Sequence, residues 1–177
     1  QRGAPIRATW HRRLMTESVL NDLLRRVTES GLLDEPSIDD DTVVGLGHLD
    51  AAGVEVEVDL DPEIDDEDEP DVDAILTSLS DILSVSEDRW RAIVDEVVTE
   101  IEDALEDDEV DSEIDLRTDL EAVGVGVFAD AIIVVFAGAT SFPDALVHVQ
   151  LTPELEVEDI EIVGDDDDED EEDDDED

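Results

Sequence analysis

Lysine is missing altogether from these 177 residues, as are cysteine and tyrosine, and the aromatic content stops at two tryptophans and three phenylalanines. Each absence removes a class of chemistry. Without cysteine there is no disulfide, thiolate nucleophile, zinc-thiolate or iron-sulfur site, and no c-type haem attachment, which needs Cys-x-x-Cys-His. Without lysine there is no P-loop lysine, no Schiff base and no lysine acylation. Positive charge is scarce as well: nine arginines face 58 acidic residues, for a formal net charge of −49. Such a chain repels phosphate, so direct binding to nucleic acid or to an anionic membrane surface is disfavoured.

The acid excess is not confined to one segment. Asp165 to Asp177 are acidic at all thirteen positions, which leaves 45 acids in the rest of the chain. With no apolar residue to bury, this tail is expected to be disordered by self-repulsion. At the other end, Arg2, Arg7, Arg12 and Arg13 precede Met15, the single methionine, in a segment free of acids. Residues 1–14 read as an upstream or leader remnant, disordered, with Met15 as the expected start; they lack the apolar run of a secretory signal. Residues 15–164 then form one domain large enough for a single core.

One apolar stretch has the length of a short membrane span. Ala122 to Ala139 holds a single charge, Asp130, in eighteen residues, at the lower limit for a helix crossing a bilayer. That charge would lie near the midplane, and Ala129-Asp130-Ala131 splits the stretch into two strand-length, valine-rich runs. A β-hairpin is the expected structure, and no membrane association is expected.

Periodicity alternates between the helical and the extended repeat. Val19, Leu20, Leu23, Leu24 and Val27 make a helical stripe, with Thr16 as N-cap and Gly31 as stop. Val43, Val44, Leu46 and Leu49 mark a strand, Ala51-Ala52-Gly53 a turn, and Val54 to Leu60 alternates apolar residues with Glu55, Glu57 and Asp59, giving one buried and one wet face. The span 59–71 holds nine acids and two prolines and reads as an internal linker. Two helices follow, one carrying Val72, Ile75, Leu76, Leu79, Ile82 and Leu83, the other capped by Ser86 with Trp90, Ile93, Val94, Val97, Ile101 and Leu105 inside. Beyond the acidic turn Glu106 to Asp111, strands are expected at 113–118, 122–128, 131–137, 145–151 and 155–163. Turns are expected at Ala129-Asp130, Gly138 to Asp144 and Thr152-Pro153-Glu154.

The fold class expected is therefore α+β, a mainly antiparallel sheet of five to seven strands with three helices in the order α-ββ-αα-βββββ. No βαβ alternation calls for a parallel sheet. Ala131 to Phe136 is apolar at successive positions, as in a central strand covered on both faces by helices or by a second subunit.

Motifs are few. Gly124-Val125-Gly126-Val127-Phe128-Ala129 spells the dinucleotide pattern G-x-G-x-x-A, yet a β-branched run follows where a helix N-terminus must hold the pyrophosphate; the reading is a glycine-softened strand. Asp59-Leu60-Asp61-Pro62-Glu63-Ile64-Asp65 spaces acids like the start of an EF-hand, but Ile64 stands where glycine is needed and Pro70 where the bidentate glutamate belongs. His11 lies in the leader, while His48 and His148 fall on separate strands without companion ligands; a site using both with nearby carboxylates requires those strands to be neighbours. Among so many carboxylates no acid and base couple stands out, and of the two beside apolar runs Asp130 is assigned to a turn and Asp119 to the wet side. The arginines are expected in i,i+4 ion pairs, Asp22 with Arg26, Arg25 with Glu29 and Arg91 with Asp95.

No catalytic, cofactor-binding or metal-ligating residue is assigned. The function expected is that of a non-enzymatic, highly acidic soluble prokaryotic domain of the cytoplasm, with a salt-adapted surface, acting by protein–protein interaction in the manner of a chaperone, an immunity protein or a nucleic-acid mimic. Its partner is a protein, a basic one fitting best, with a homodimer left open and only non-specific counter-cations bound. The alternative is a small cytosolic enzyme or a weak divalent-cation-binding protein with no recognisable motif.

Overall fold

The computed structural model describes residues 6–63, 70–104 and 115–164, with side chains from Thr16 onward. Within them the chain forms one seven-stranded sheet whose strand order follows the sequence. Three strands, β1 (Leu33–Asp39), β2 (Thr42–Leu49) and β3 (Val54–Leu60), form one meander. Four more, β4 (Leu120–Val127), β5 (Ile132–Gly138), β6 (Phe142–Leu151) and β7 (Val157–Gly164), form another. The helices are α1 (Ile6–Ser30) before the sheet, and α2 (Val72–Leu83), α3 (Glu87–Ala104) and the one-turn α4 (Leu116–Asp119) between the two meanders. The class is α+β, as expected.

Every strand pair is antiparallel except β3 with β4, which run parallel from Glu57 opposite Gly124 to Leu60 opposite Val127. One parallel pair in an otherwise antiparallel sheet agrees with the mainly antiparallel sheet expected. The connection from β3 to β4 carries α2, α3 and α4 across the sheet, so it is a crossover with three helices in place of the usual one, and single-helix βαβ spacing is not present to reveal it.

Alternation dictates which face each strand buries. Val43 and Leu49 of β2, Val56, Val58 and Leu60 of β3, Val125 and Val127 of β4, Ile132, Val134 and Phe136 of β5, and Val147, Val149 and Leu151 of β6 are all buried. The register aligns them on one side, with Val58 beside Val125, Val125 beside Val134 and Val134 beside Val149. Helical residues Leu20, Leu23 and Val27 of α1, Ile75, Leu79 and Ile82 of α2, and Ile93, Val97 and Val98 of α3 complete one continuous core with them. Trp90 stacks on Phe136 at a centroid distance of 5.7 Å. All helix packing lies on this side, so the molecule has two layers. Helices on both faces of β5, one of the two covers expected from its apolar run, are thereby excluded among the described residues.

Local chemistry accounts for the other departures. Helix α1 begins at Ile6, ahead of Met15, and Thr16 lies inside the helix instead of capping it. Residues 113 and 114 lie outside the described part. From Asp115 the expected strand is replaced by α4, because the Asp115 carboxylate accepts from the Arg117 N–H at 3.0 Å and the Thr118 hydroxyl donates to the Asp115 carbonyl at 2.9 Å. Strand β1 was not legible at all: Leu33 is its one buried residue, Glu35 takes a positive φ of 49°, and the register shifts between Asp34 and Ser37 around Pro36. An edge strand tolerates proline and a bulge because half its ladder faces solvent. Most of the linker (64–69), the acidic turn at 106–111, Leu105 and the tail 165–177 fall outside the described residues.

Candidate functional site

The second face of the sheet carries no helix among the described residues. Its centre is apolar: Ile133, Val135 and Ala137 on β5 and Leu146 on β6 point this way, as do Val44 and Leu46 on β2 on the far side of β3, with Leu146 41 % exposed and its β7 neighbour Val163 39 % exposed. Acids flank the centre, Glu55, Glu57 and Asp59 from β3, opposite His48, Leu46 and Val44 in the register, and Asp159 and Glu161 from β7, opposite Gln150 and His148. The five arginines with described side chains, Arg25, Arg26, Arg89, Arg91 and Arg117, all sit on helices. The two layers therefore differ in charge, and the open face holds carboxylates and two histidines with no arginine among the described residues.

A trough of about 630 Å³ crosses this face. Its floor is β4, where Gly124 and Gly126 present bare backbone toward the open side while β3 and β5 on either hand carry side chains. One wall is acidic, built by Asp39, Glu57, Asp59 and Asp61; the other is apolar, built by Ile133, Val135 and Phe128. Val44 and Leu46 extend it across β2, and His148 closes it at β6. The volume lies in the range of ordinary ligand sites.

Electrostatics inside the trough are unfavourable to its own charges. Partial burial over the apolar floor pushes the Asp59 carboxyl above its usual range; a hydrogen bond from Thr42 opposes this, and Asp61 and Asp39 reinforce it. Glu63, beside the mouth, is raised chiefly by burial and then by Asp130 and Asp61. Asp61 accepts the Glu63 N–H at 2.8 Å, and its own N–H continues the sheet by donating to the Val127 carbonyl at 3.0 Å.

The residues singled out in the sequence are dispersed. Gly124 and Gly126 lie in β4, which leads into the turn before β5 and not into a helix, so the G-x-G-x-x-A run is a strand whose glycines form the trough floor. His48 on β2 and His148 on β6 share the open face but are four strand positions apart, about 19 Å at normal spacing. The neighbouring-strand arrangement a shared metal site requires is not realised. Among the described residues no three histidine or carboxylate side chains converge on a common point. Asp119 accepts the backbone N–H groups of Thr140 at 3.0 Å and Ser141 at 2.7 Å, which lowers its pKa and pins the β5–β6 turn. Its role there is structural.

The ion pairs differ from those expected. Arg25 pairs with Asp22, Arg26 reaches Asp73 on α2, Arg91 pairs with Asp88 at 3.7 Å, and Asp95 instead meets Arg117 of α4 at 2.6 Å. Arg89 donates to the Leu155 carbonyl at 2.6 Å. Tertiary neighbours outcompete the i,i+4 partner wherever a second element comes within reach, and every described arginine is engaged inside the helix layer or at its border.

The trough itself escaped sequence reasoning. Two signals for it were present: apolar residues on both faces of β2 and β5, and glycines two apart in a strand, which lie on the same face. No helix in the described part is long and apolar enough to cross a membrane. The chain matches no protein-family model, and comparison with characterised proteins and with solved structures yields no match.

Proposed function

We propose that this chain is a non-enzymatic interaction domain that binds a protein partner on the open face of its sheet. The observation that carries the reading is the contrast between the two faces: the helices cover one, while the other combines an apolar centre with acidic borders and contains no described arginine. Apolar area left on a rimmed face is characteristic of an interaction surface. Acidic borders select a basic partner by steering and by repelling acidic competitors. The reading assigns no catalytic group. Cysteine-free composition suits a reducing cytoplasm, and the acid shell without lysine suits a salt-rich milieu.

Site-specific photo-crosslinking in cells of the source organism tests it. A crosslinker at Leu146 or Val163 is expected to give a discrete adduct with a protein, lost when Ala137→Asp is added beside Leu146 and outside the trough, whereas one at Thr99 on the helix layer gives none. Adducts from Thr99 alone, or equally from both faces, would overturn the assignment of the surface.

A further inference from the structure

Resting on that reading, we infer that the trough over β4 is the receptor for a single cationic side chain, arginine or lysine, presented between apolar residues on a segment of the partner protein, with Asp59 as its counter-ion. The shape follows from the strand sequence. Gly124 and Gly126 withhold side chains at consecutive open-face positions, so the neighbouring strands stand above β4 as walls. The chemistry follows from the walls. Ile133 and Val135 offer contact to the methylene stem of a long cationic side chain, and Glu57 and Asp59 offer carboxylates to its head. Arginine and lysine are the side chains that carry both parts.

Charge excludes the competing occupants. A phosphate or nucleic acid meets only carboxylates and two histidines on this face. A second copy of the chain brings a net charge of −49 of its own. A divalent cation requires converging oxygen ligands on several sides, and here one side is apolar. For the cation proposed, Asp59 is already poised: its carboxylate is partly desolvated and crowded by Asp39 and Asp61, so an incoming positive charge relieves a repulsion the free protein carries.

The test uses the full chain, labelled with ¹⁵N, in about 0.5 M KCl to screen diffuse attraction. The probes are a capped pentapeptide with one arginine between leucine and valine, its citrulline analogue, which is nearly isosteric and neutral, and a version with glycines in place of the apolar flanks. The arginine peptide is expected to shift the amide signals of Gly124, Gly126, Ile133 and Val135 saturably, and both control peptides to bind at least tenfold more weakly. Gly126→Val fills the floor: its added Cβ meets Phe128 at 3.7 Å and Ile133 at 3.9 Å, ordinary contacts for a strand position. It is expected to abolish the shifts. Asp59→Asn, a change at the surface, gives a second variant whose fold is secure and is expected to weaken binding about tenfold. Shifts spread over the acidic surface without saturation, equal binding of the citrulline peptide, or unchanged binding by either variant would overturn the inference. Such results leave the interaction face itself standing, because the crosslinks from Leu146 and Val163 do not depend on the trough; conversely, trough binding without those crosslinks would retain the pocket and reject the function.

Discussion

At the scale of single residues, glycines in this sheet do two different jobs, and one atom added to each tells them apart. Gly47 faces the helices, where a Cβ would lie 2.9 Å from Val58 Cγ2 and 3.1 Å from Leu83 Cδ2. Val58 is stiff and buried, so it cannot give way cheaply. Gly47→Ala is expected to destabilise by about 1–3 kcal/mol as an overpacked core position, readable in chemical denaturation. Gly126→Ala, on the open face with contacts no closer than 3.7 Å, is expected to be neutral or stabilising, since a glycine inside a strand costs about 0.5–1 kcal/mol relative to alanine. Equal losses at both sites would mean that the open face is packed against something. Asp59 and Asp119 form a second contrast, in charge. The folded pKa of Asp59 is raised by burial, so the native state binds more protons than the unfolded one and Asp59 opposes folding at neutral pH. Asp59→Asn is therefore expected to raise the melting temperature at pH 7 and to have no stabilising effect once pH is below the ordinary carboxylate range. Asp119 behaves in the opposite sense: its folded pKa is lowered by two backbone N–H donors, so its contribution is present at neutral pH and lost as pH falls through that value. Asp119→Ala is expected to lower the melting temperature at pH 7 and to matter less in acid.

At the scale of elements, α3 shows what periodicity can deliver. Trp90, Ile93, Val97 and Ile101 recur at helical spacing and are all buried, and Ser86 accepts the Arg89 N–H at 3.2 Å as the expected cap. Trp90 is 9 % exposed and stacked on Phe136 of β5, tying the helix to the middle of the sheet. Trp90→Ala is expected to cost about 3–5 kcal/mol, with red-shifted, fully quencher-accessible native emission from Trp90 as the result that would contradict its burial. The elements legible in the sequence were those whose own residues carry the pattern: the Val19–Val27 stripe of α1, α2, α3, the β2–β3 hairpin with its Ala51-Ala52-Gly53 turn, the β4–β5 hairpin that hydropathy alone confuses with a membrane span, and β6 and β7. Those that were not legible depend on partners far along the chain. Strand β1 is acidic, contains Pro36 and buries only Leu33, so it is a strand because β2 supplies its hydrogen bonds. Helix α4 exists through the capping bonds of Asp115 and the pair between Arg117 and Asp95. The candidate site was legible by halves. Alternation in β3 announced its acidic wall and the apolar run of β5 its opposite wall, but their placement on either side of β4 follows from the parallel β3–β4 pairing, which no local pattern encodes.

For the whole molecule, the governing quantity is a net charge of −49 over the 177 residues of the chain. Compaction crowds the carboxylates, and the repulsion is long-ranged at low ionic strength, where the screening length exceeds about 10 Å, and short at molar salt, where it falls to about 3 Å. Like-charge neighbours such as Glu96 and Glu100 on α3 add a local penalty of about 0.2–0.5 kcal/mol that salt also removes. The melting temperature is therefore expected to rise from dilute buffer to molar KCl. Acid should act in the same direction at first. Among the described carboxylates, the shifts upward belong to Asp59 and Glu63 and the one downward to Asp119. A raised carboxyl opposes folding while ionised, and that opposition is relieved as pH falls through its folded value, complete below the unfolded value of about 4. The contribution of Asp119 starts to be lost only near and below that same unfolded value. Between pH 7 and about 5 the raised groups act alone, so stability is expected to increase over that interval and to turn down in stronger acid, with its maximum on the acid side of neutrality. Thermal unfolding of the full chain from pH 7 to pH 3, in low and molar KCl, checks both signs at once. A maximum at neutral pH together with indifference to salt would show that the carboxylates are compensated within the fold, and the acidic borders of the open face would then lose their standing as a source of partner selectivity.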